Sequence, residues 1–203
     1  MPKIAVNTPK KEISPRYLAK AAQILNGALP EFLERGYAGA TMDRVAQMAG
    51  VSKQTLYSYY ADKEGLFAAL VQKIAEEKYR MVWTTPLQGK PEKVLRELAH
   101  RLLSEAEDED YVNFIRMMMA ESGKRPELAQ VFIINCAKPA IDNLTKYLTE
   151  CPELKIKDPE ATARIFIGSL IHYLIVQVMF HGAEIIPMSV ERIIDRLIET
   201  IVN

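Results

Sequence analysis

The sequence predicts an all-α protein in two parts, a small three-helix unit followed by a larger helical one. Three observations lead there. Apolar residues recur at three- and four-residue steps along nearly the whole chain, no alternating strand run competes with them, and Pro, Gly and capping hydroxyls punctuate the pattern. A chain of 203 residues with 49% hydrophobic and 26% charged residues can bury a sizeable core, which excludes disordered, collagen-like and disulfide-built classes.

The first helix is read from Tyr17, through Leu18, Ala21, Leu25, Ala28 and Phe32, to Arg35, where Gly36 stops it. Pro30 removes a backbone donor inside this run, so a kink is expected there. Thr41 supplies an acceptor for the free N–H groups of a short second helix, which Gly50 ends. Ser52 repeats the arrangement for a third, Lys53 to Tyr60, and Asp62 caps a longer fourth helix towards Trp83. The loop Thr84 to Pro91 holds two prolines and one glycine in eight residues and marks the best boundary. Beyond it, Pro91 to Ala106, Tyr111 to Ser122, Pro126 to Glu150, Pro159 to His181 and Ser189 to Val202 all have helical spacing. The expected domains are therefore an arm at 1–14, a helix-turn-helix unit at 15–62, a linking helix at 63–83 and a helical body at 84–203.

Charge is unevenly placed. The chain is neutral overall, but residues 1–63 carry nine Lys and Arg against five acids, a balance of +4 that leaves −4 for the remainder. A polyanion partner is thus expected at the N-terminal end. No apolar secretory segment precedes the first helix, so a cytoplasmic location is expected. Cys136 and Cys151 form no CxxC pair and have no clustered histidine, so neither metal nor cofactor is expected. A sensing thiol needs nearby positive charge, and Lys138 is the one close cation in sequence to Cys136.

Asp43 to Tyr60 has the spacing of a DNA-reading helix-turn-helix. Ala46 is small where two helices cross, Gly50 permits the tight turn, and Val45, Ala49, Val51 and Leu56 fill the wedge. The second helix of such a pair lies in the major groove with its N-terminal residues at the base edges. Those residues are Lys53, Gln54 and Thr55. Lys donates to guanine O6 and N7, Gln pairs with adenine N6 and N7, and the Thr methyl packs on thymine. Thr41, Arg44, Ser52, Tyr57, Ser58, Tyr59 and Lys63 complete the candidate interface as donors to phosphate, positioning the helix without reading sequence. Tyr60 is read as a core residue.

Gly36-Tyr37, Thr41, Val45-Ala46, Ala49-Gly50-Val51-Ser52, Thr55-Leu56-Tyr57, Tyr59-Tyr60 and Lys63-Glu64-Gly65-Leu66 together resemble the signature of the tetracycline-repressor (TetR) family, over roughly residues 15 to 70. The resemblance implies a homodimer with a three-helix DNA-binding head, a palindromic double-stranded operator, and a ligand-responsive body whose last two helices form the dimer. It also implies that the family's phosphate-binding aromatic corresponds to Tyr57 or Tyr59 and its lysine at the start of the fourth helix to Lys63. Where Gln54 stands, family members often have Gly or Ala, so this side chain points to a base contact particular to this chain.

The body carries no such motif. Ile165 to Ala183 lacks a formal charge, yet Gly168, Ser169, His172, Gln177, His181 and Gly182 make it too polar for lipid, so no membrane is expected. Trp83, Phe114, Met117, Met118 and Phe132 are core residues or the lining of an apolar effector pocket, with His172, Tyr173 and Gln177 as its polar groups. Effector binding would shift the spacing of the two heads against successive major grooves, with the fourth helix as lever. Two other readings remain open: an effector-independent dimer with a filled body, and a helical-bundle enzyme. The enzyme lacks paired Glu-x-x-His motifs and a phosphate loop, and the acids from Glu105 to Asp110 read as a solvated run.

Overall fold

The computed structural model describes residues 14–202; the expected arm therefore lies outside the described residues except for Ser14. The chain divides into two compact units, Met1–Leu66 and Phe67–Asn203.

In the first unit, Ser14 accepts a hydrogen bond from the Tyr17 N–H and opens α1 (Pro15–Gly39). Ile24, Leu25, Gly27, Ala28, Glu31 and Phe32 are its buried face, at the spacing of one helical stripe. The expected kink at Pro30 is not where the helix breaks. Helical backbone angles are lost at Gly36, whose φ of 66° suits a residue without Cβ, whereas Pro30 keeps them. Thr41 caps α2 (Met42–Met48), Ser52 caps α3 (Lys53–Tyr59), and Asp62 receives the Gly65 N–H at the start of α4 (Lys63–Trp83). The division between the units falls within α4.

The second unit continues with α5 (Pro91–Ser104), a 3₁₀ turn (Glu105–Glu107), α6 (Glu109–Ser122), α7 (Pro126–Phe132) and α8 (Lys138–Glu150). It ends with α9 (Pro159–Tyr173) and α10 (Val190–Val202). The helical pattern from Pro126 to Glu150 is one run interrupted by a π-turn at Ile133–Ala137, and that from Pro159 carries a second at Leu174–Met179. Among the described residues no strand occurs. The core gathers Val82 and Trp83 of α4, Leu95 and Leu98 of α5, Leu144 and Leu148 of α8, Phe166 and Leu170 of α9, and Ile194 and Ile198 of α10. Arg96 ties α5 to α10 through Glu191 at 3.1 Å and Asp195 at 2.5 Å.

The acids after α5 are not simply a solvated run. Glu105 is buried, and the Lys78 ammonium lies 2.6 Å from its Oε2 and 2.8 Å from Asp108. The ammonium donates a hydrogen bond to Asp108 and pairs at closer range with the buried Glu105 carboxylate. Burial acts to lower the Lys78 pKa, but the hydrogen bonds and charges of Asp108 and Glu105 outweigh it and raise the value. Hydrogen bonding to Lys78 holds Asp108 below the usual carboxylate range. A Lys78 made to pair with residues 27 and more positions away is a constraint that helical periodicity does not contain.

Candidate nucleic-acid interface

The helix-turn-helix is built on close approach. A Cβ added at Gly27 would lie 2.6 Å from the Ala49 Cα, so α1 and the end of α2 meet backbone to backbone. Gln23 then donates its amide to the Ala49 carbonyl at 2.7 Å. Gly50, at φ 62°, turns the chain, and the Val51 N–H reaches back to the Ala46 carbonyl at 2.9 Å. Val45, Ala46, Ala49 and Leu56 are all buried in the wedge.

With Leu56 facing inward, α3 turns Lys53, Gln54, Tyr57 and Ser58 outward. Lys53 bonds the Asp43 carboxylate of α2 at 2.5 Å, and both side chains are largely exposed. Thr55 is half-buried; its N–H donates to Ser52 Oγ at 3.0 Å and the two hydroxyls pair at 2.8 Å. Ser58 spends its hydroxyl hydrogen on the Thr55 carbonyl at 2.7 Å. Half of Tyr57 is exposed, whereas Tyr59 stacks on Tyr17 of α1 with ring centroids 4.4 Å apart. Tyr60, expected in the core, is half-buried beside them; desolvation and the neighbouring Tyr17 and Tyr59 push its pKa up to about 12.

Two predicted phosphate donors are held by partners that the sequence reading passed over. The Arg44 Nε donates to Glu31 Oε2 at 2.9 Å, and Glu31 is completely buried. The other Glu31 oxygen accepts the Thr41 N–H at 3.3 Å, and Arg35 lies 3.6 Å from Oε2. Thr41 itself accepts the Arg44 N–H, which leaves its hydroxyl hydrogen directed elsewhere. Lys63 is placed differently from the expectation of a phosphate donor. Its ammonium donates to the carbonyls of Tyr37, Ala38 and Ala40 at 2.8, 3.1 and 3.0 Å and sits over the Tyr37 ring. Three hydrogens meet three acceptors, so Lys63 closes the end of α1 in place of offering a donor outward.

The expected effector residues are not gathered around one cavity. Trp83 is in the core and stacks on Tyr79, while Phe114 packs near Phe67, away from that cluster's members. Met118 is buried, Met117 and Phe132 half-buried. His172 is exposed. Gln177 and Tyr173 secure the segment before α10: Gln177 donates to the Ile186 carbonyl at 3.0 Å and accepts the Met188 N–H, and the Tyr173 hydroxyl reaches the Met188 carbonyl. A cleft of about 690 Å³ in this unit is lined instead by Ser169, Met188 and residues of α10. Cys136 is no reactive thiol, since burial and Glu105 push its pKa up to about 11.

Among the described residues one helix is long and apolar enough to cross a membrane, Pro159–Met179, and only 17% of its apolar window is buried within the chain. Ile165, Ile171, Phe180, Ile185 and Ile186 stand exposed along and just beyond it.

Residues 24–70 match the model of bacterial regulatory proteins of the tetR family, and residues 93–203 match that of the AefR-like transcriptional repressor C-terminal domain. The HTH-type transcriptional regulator RutR of Escherichia coli is 35% identical over 71 residues, 35% of this chain. The HTH-type transcriptional repressor SCO4008 of Streptomyces coelicolor is 44% identical over 55, 27% of this chain. These matches span about a third of each relative's length, 31% and 29%. Among solved structures, a chain assigned to the TetR family from Mesorhizobium loti superposes with a TM-score of 0.80 at 26% identity, covering 92% of this chain and 96% of its own. The flavonoid-responsive regulator FrrA does so at 0.75 and 29%, covering 90% and 94%.

Proposed function

Since the chain belongs to the TetR family of bacterial regulatory proteins, we propose that it is a cytoplasmic, non-catalytic homodimer that represses transcription by binding a palindromic operator. The observation that carries this reading is the outward face of α3, where Lys53 and Gln54 are exposed on a helix anchored by the buried Leu56. Lys53, Gln54 and Thr55 read bases, and Thr41, Arg44, Ser52, Tyr57, Ser58 and Tyr59 grip phosphates. A second copy covers the exposed apolar residues of α9 and its continuation, making a four-helix bundle with α10. That arrangement accounts for an apolar helix left uncovered in one chain without recourse to lipid.

The body's role is to sense a small, largely apolar molecule. Two features support it: FrrA, a flavonoid-responsive neighbour, and the run Tyr173–Met179, in which every residue is half-buried. Selection of bound sites from random duplex DNA tests the first proposal. The expected product is a palindrome with half-sites about one helical turn apart, and K53A and Q54A each change the bases preferred at one position. An unselected pool, or binding by a monomer alone, overturns it. Thermal melting against flavonoids and other apolar molecules tests the second, since a sensor gains stability and loses operator affinity with ligand whereas a filled body does neither.

A further inference from the structure

The Lys53–Asp43 pair carries more than surface charge balance. Asp43 belongs to the first turn of α2, not to the reading helix, yet its carboxylate lies 2.5 Å from the ammonium of the first residue of α3. Lys53 is 64% and Asp43 60% exposed. A carboxylate brought beside a phosphate-lined groove is repelled by the backbone, and a contact to a donor on a base edge would offset that cost. The major-groove edge of a G·C pair supplies one. Guanine offers the O6 and N7 acceptors, and cytosine offers the N4 donor immediately beside O6, joined to it by a hydrogen bond of about 2.9 Å.

We propose that Asp43 and Lys53 together read one G·C pair in each half-site. The Lys53 ammonium has three hydrogens: one stays on Asp43 Oδ2, and the others go to guanine O6 and N7. Asp43 Oδ1 accepts from cytosine N4. Donor and acceptor on the protein then stand side by side at the spacing of O6 and N4 on the base pair. An A·T pair reverses this pattern at the same edge, presenting the adenine N6 donor to Lys53 and the thymine O4 acceptor to Asp43. A specificity of this kind differs from that of lysine alone, which accepts any guanine-like acceptor pair and leaves the opposite base unread.

This inference rests on the recognition-helix reading above, and one experiment separates the two. Sites are selected from random duplexes by the full-length protein and its K53A, D43N and K53A/D43N variants; D43N keeps the shape of the side chain at an exposed position. The wild type selects G·C at one position per half-site, and K53A and D43N both relax that same position by on the order of tenfold or more. The double variant relaxes it no further than K53A, and D43N binds unselected DNA more tightly because a negative charge is gone. If K53A relaxes a position that D43N leaves intact, the role of Asp43 is overturned and the recognition helix stands. If K53A leaves the whole profile unchanged, both readings fall.

Discussion

The two units of this chain hold their charged groups in opposite ways. In the first, a buried anion reaches outward: Glu31 is fully enclosed, and the arginines it binds, Arg35 and Arg44, are 39% and 45% exposed. In the second, a cation is drawn inward, for Lys78 is only 11% exposed and sits between Glu105 and Asp108. The first arrangement holds guanidinium groups at the surface of the unit proposed to bind DNA. The second fixes the junction of α4, α5 and α6 from within. Charge therefore serves presentation in one unit and internal register in the other.

The sharpest way to break that contrast is to remove the inward cation. K78M leaves Glu105 buried without its counter-charge, and a loss of about 3–5 kcal/mol is expected from the stability of the second unit. The acid side of the stability profile changes as well. Asp108 has its pKa depressed in the folded protein, so its contribution is present above the unfolded carboxylate value of about 3.9 and is lost as pH falls through its lower folded value. K78M removes the part of that acid-dependent increment that Lys78 supplies, which denaturant titrations from pH 7 down to about 2 measure. A variant as stable as the wild type would make the ion triad ornamental.

A smaller effect is expected where the first unit depends on shape in place of charge. In G27A the new methyl carbon meets the Ala49 backbone at 2.6 Å, and neither helix can yield without moving the turn at Gly50. The cost is about 1–3 kcal/mol, with operator affinity falling in step because α3 is carried by that turn. Gly123, around which a Cβ meets nothing within 4 Å, provides the matched control in the other unit. G123A should melt at or above the wild-type temperature, and equal losses from both variants would contradict the packing argument.

The same contrast governs what sequence reasoning could reach. Caps at Thr41, Ser52 and Asp62 and the turn at Gly50 act within a few residues, so element order and the outward face of α3 follow from local pattern. The break at Gly36 is legible for the same reason, and at Pro30 the helix continues, since proline costs a helix one donor but does not by itself end it. What escaped were partners brought together by the fold. Glu31, 13 residues from Arg44, reads as another polar position on α1, and Tyr17 gives no hint of stacking on Tyr59. In the body the loss is greater, because Gln177 and Tyr173 look like pocket polarity in sequence but are spent on backbone groups of 186 and 188. Composition gives which residues are apolar, not which apolar residues meet.

The least disruptive test concerns Lys63, which the sequence offers as a phosphate donor. Here its three hydrogens are committed to the carbonyls of Tyr37, Ala38 and Ala40, so its effect on DNA must pass through the geometry of the first unit. K63M should cost about 1 kcal/mol, the net worth of such bonds, and weaken operator binding modestly. The dependence of affinity on salt discriminates between the two roles, because each phosphate contact contributes a slope of about −0.9 in log affinity against log salt. K63M should therefore keep the wild-type slope, while R44A, which removes a guanidinium presented by Glu31, should flatten it by about one contact. A flattened slope in K63M would mean that the ammonium leaves its three carbonyls when DNA arrives, and the presentation of charge in this unit would then extend to α4.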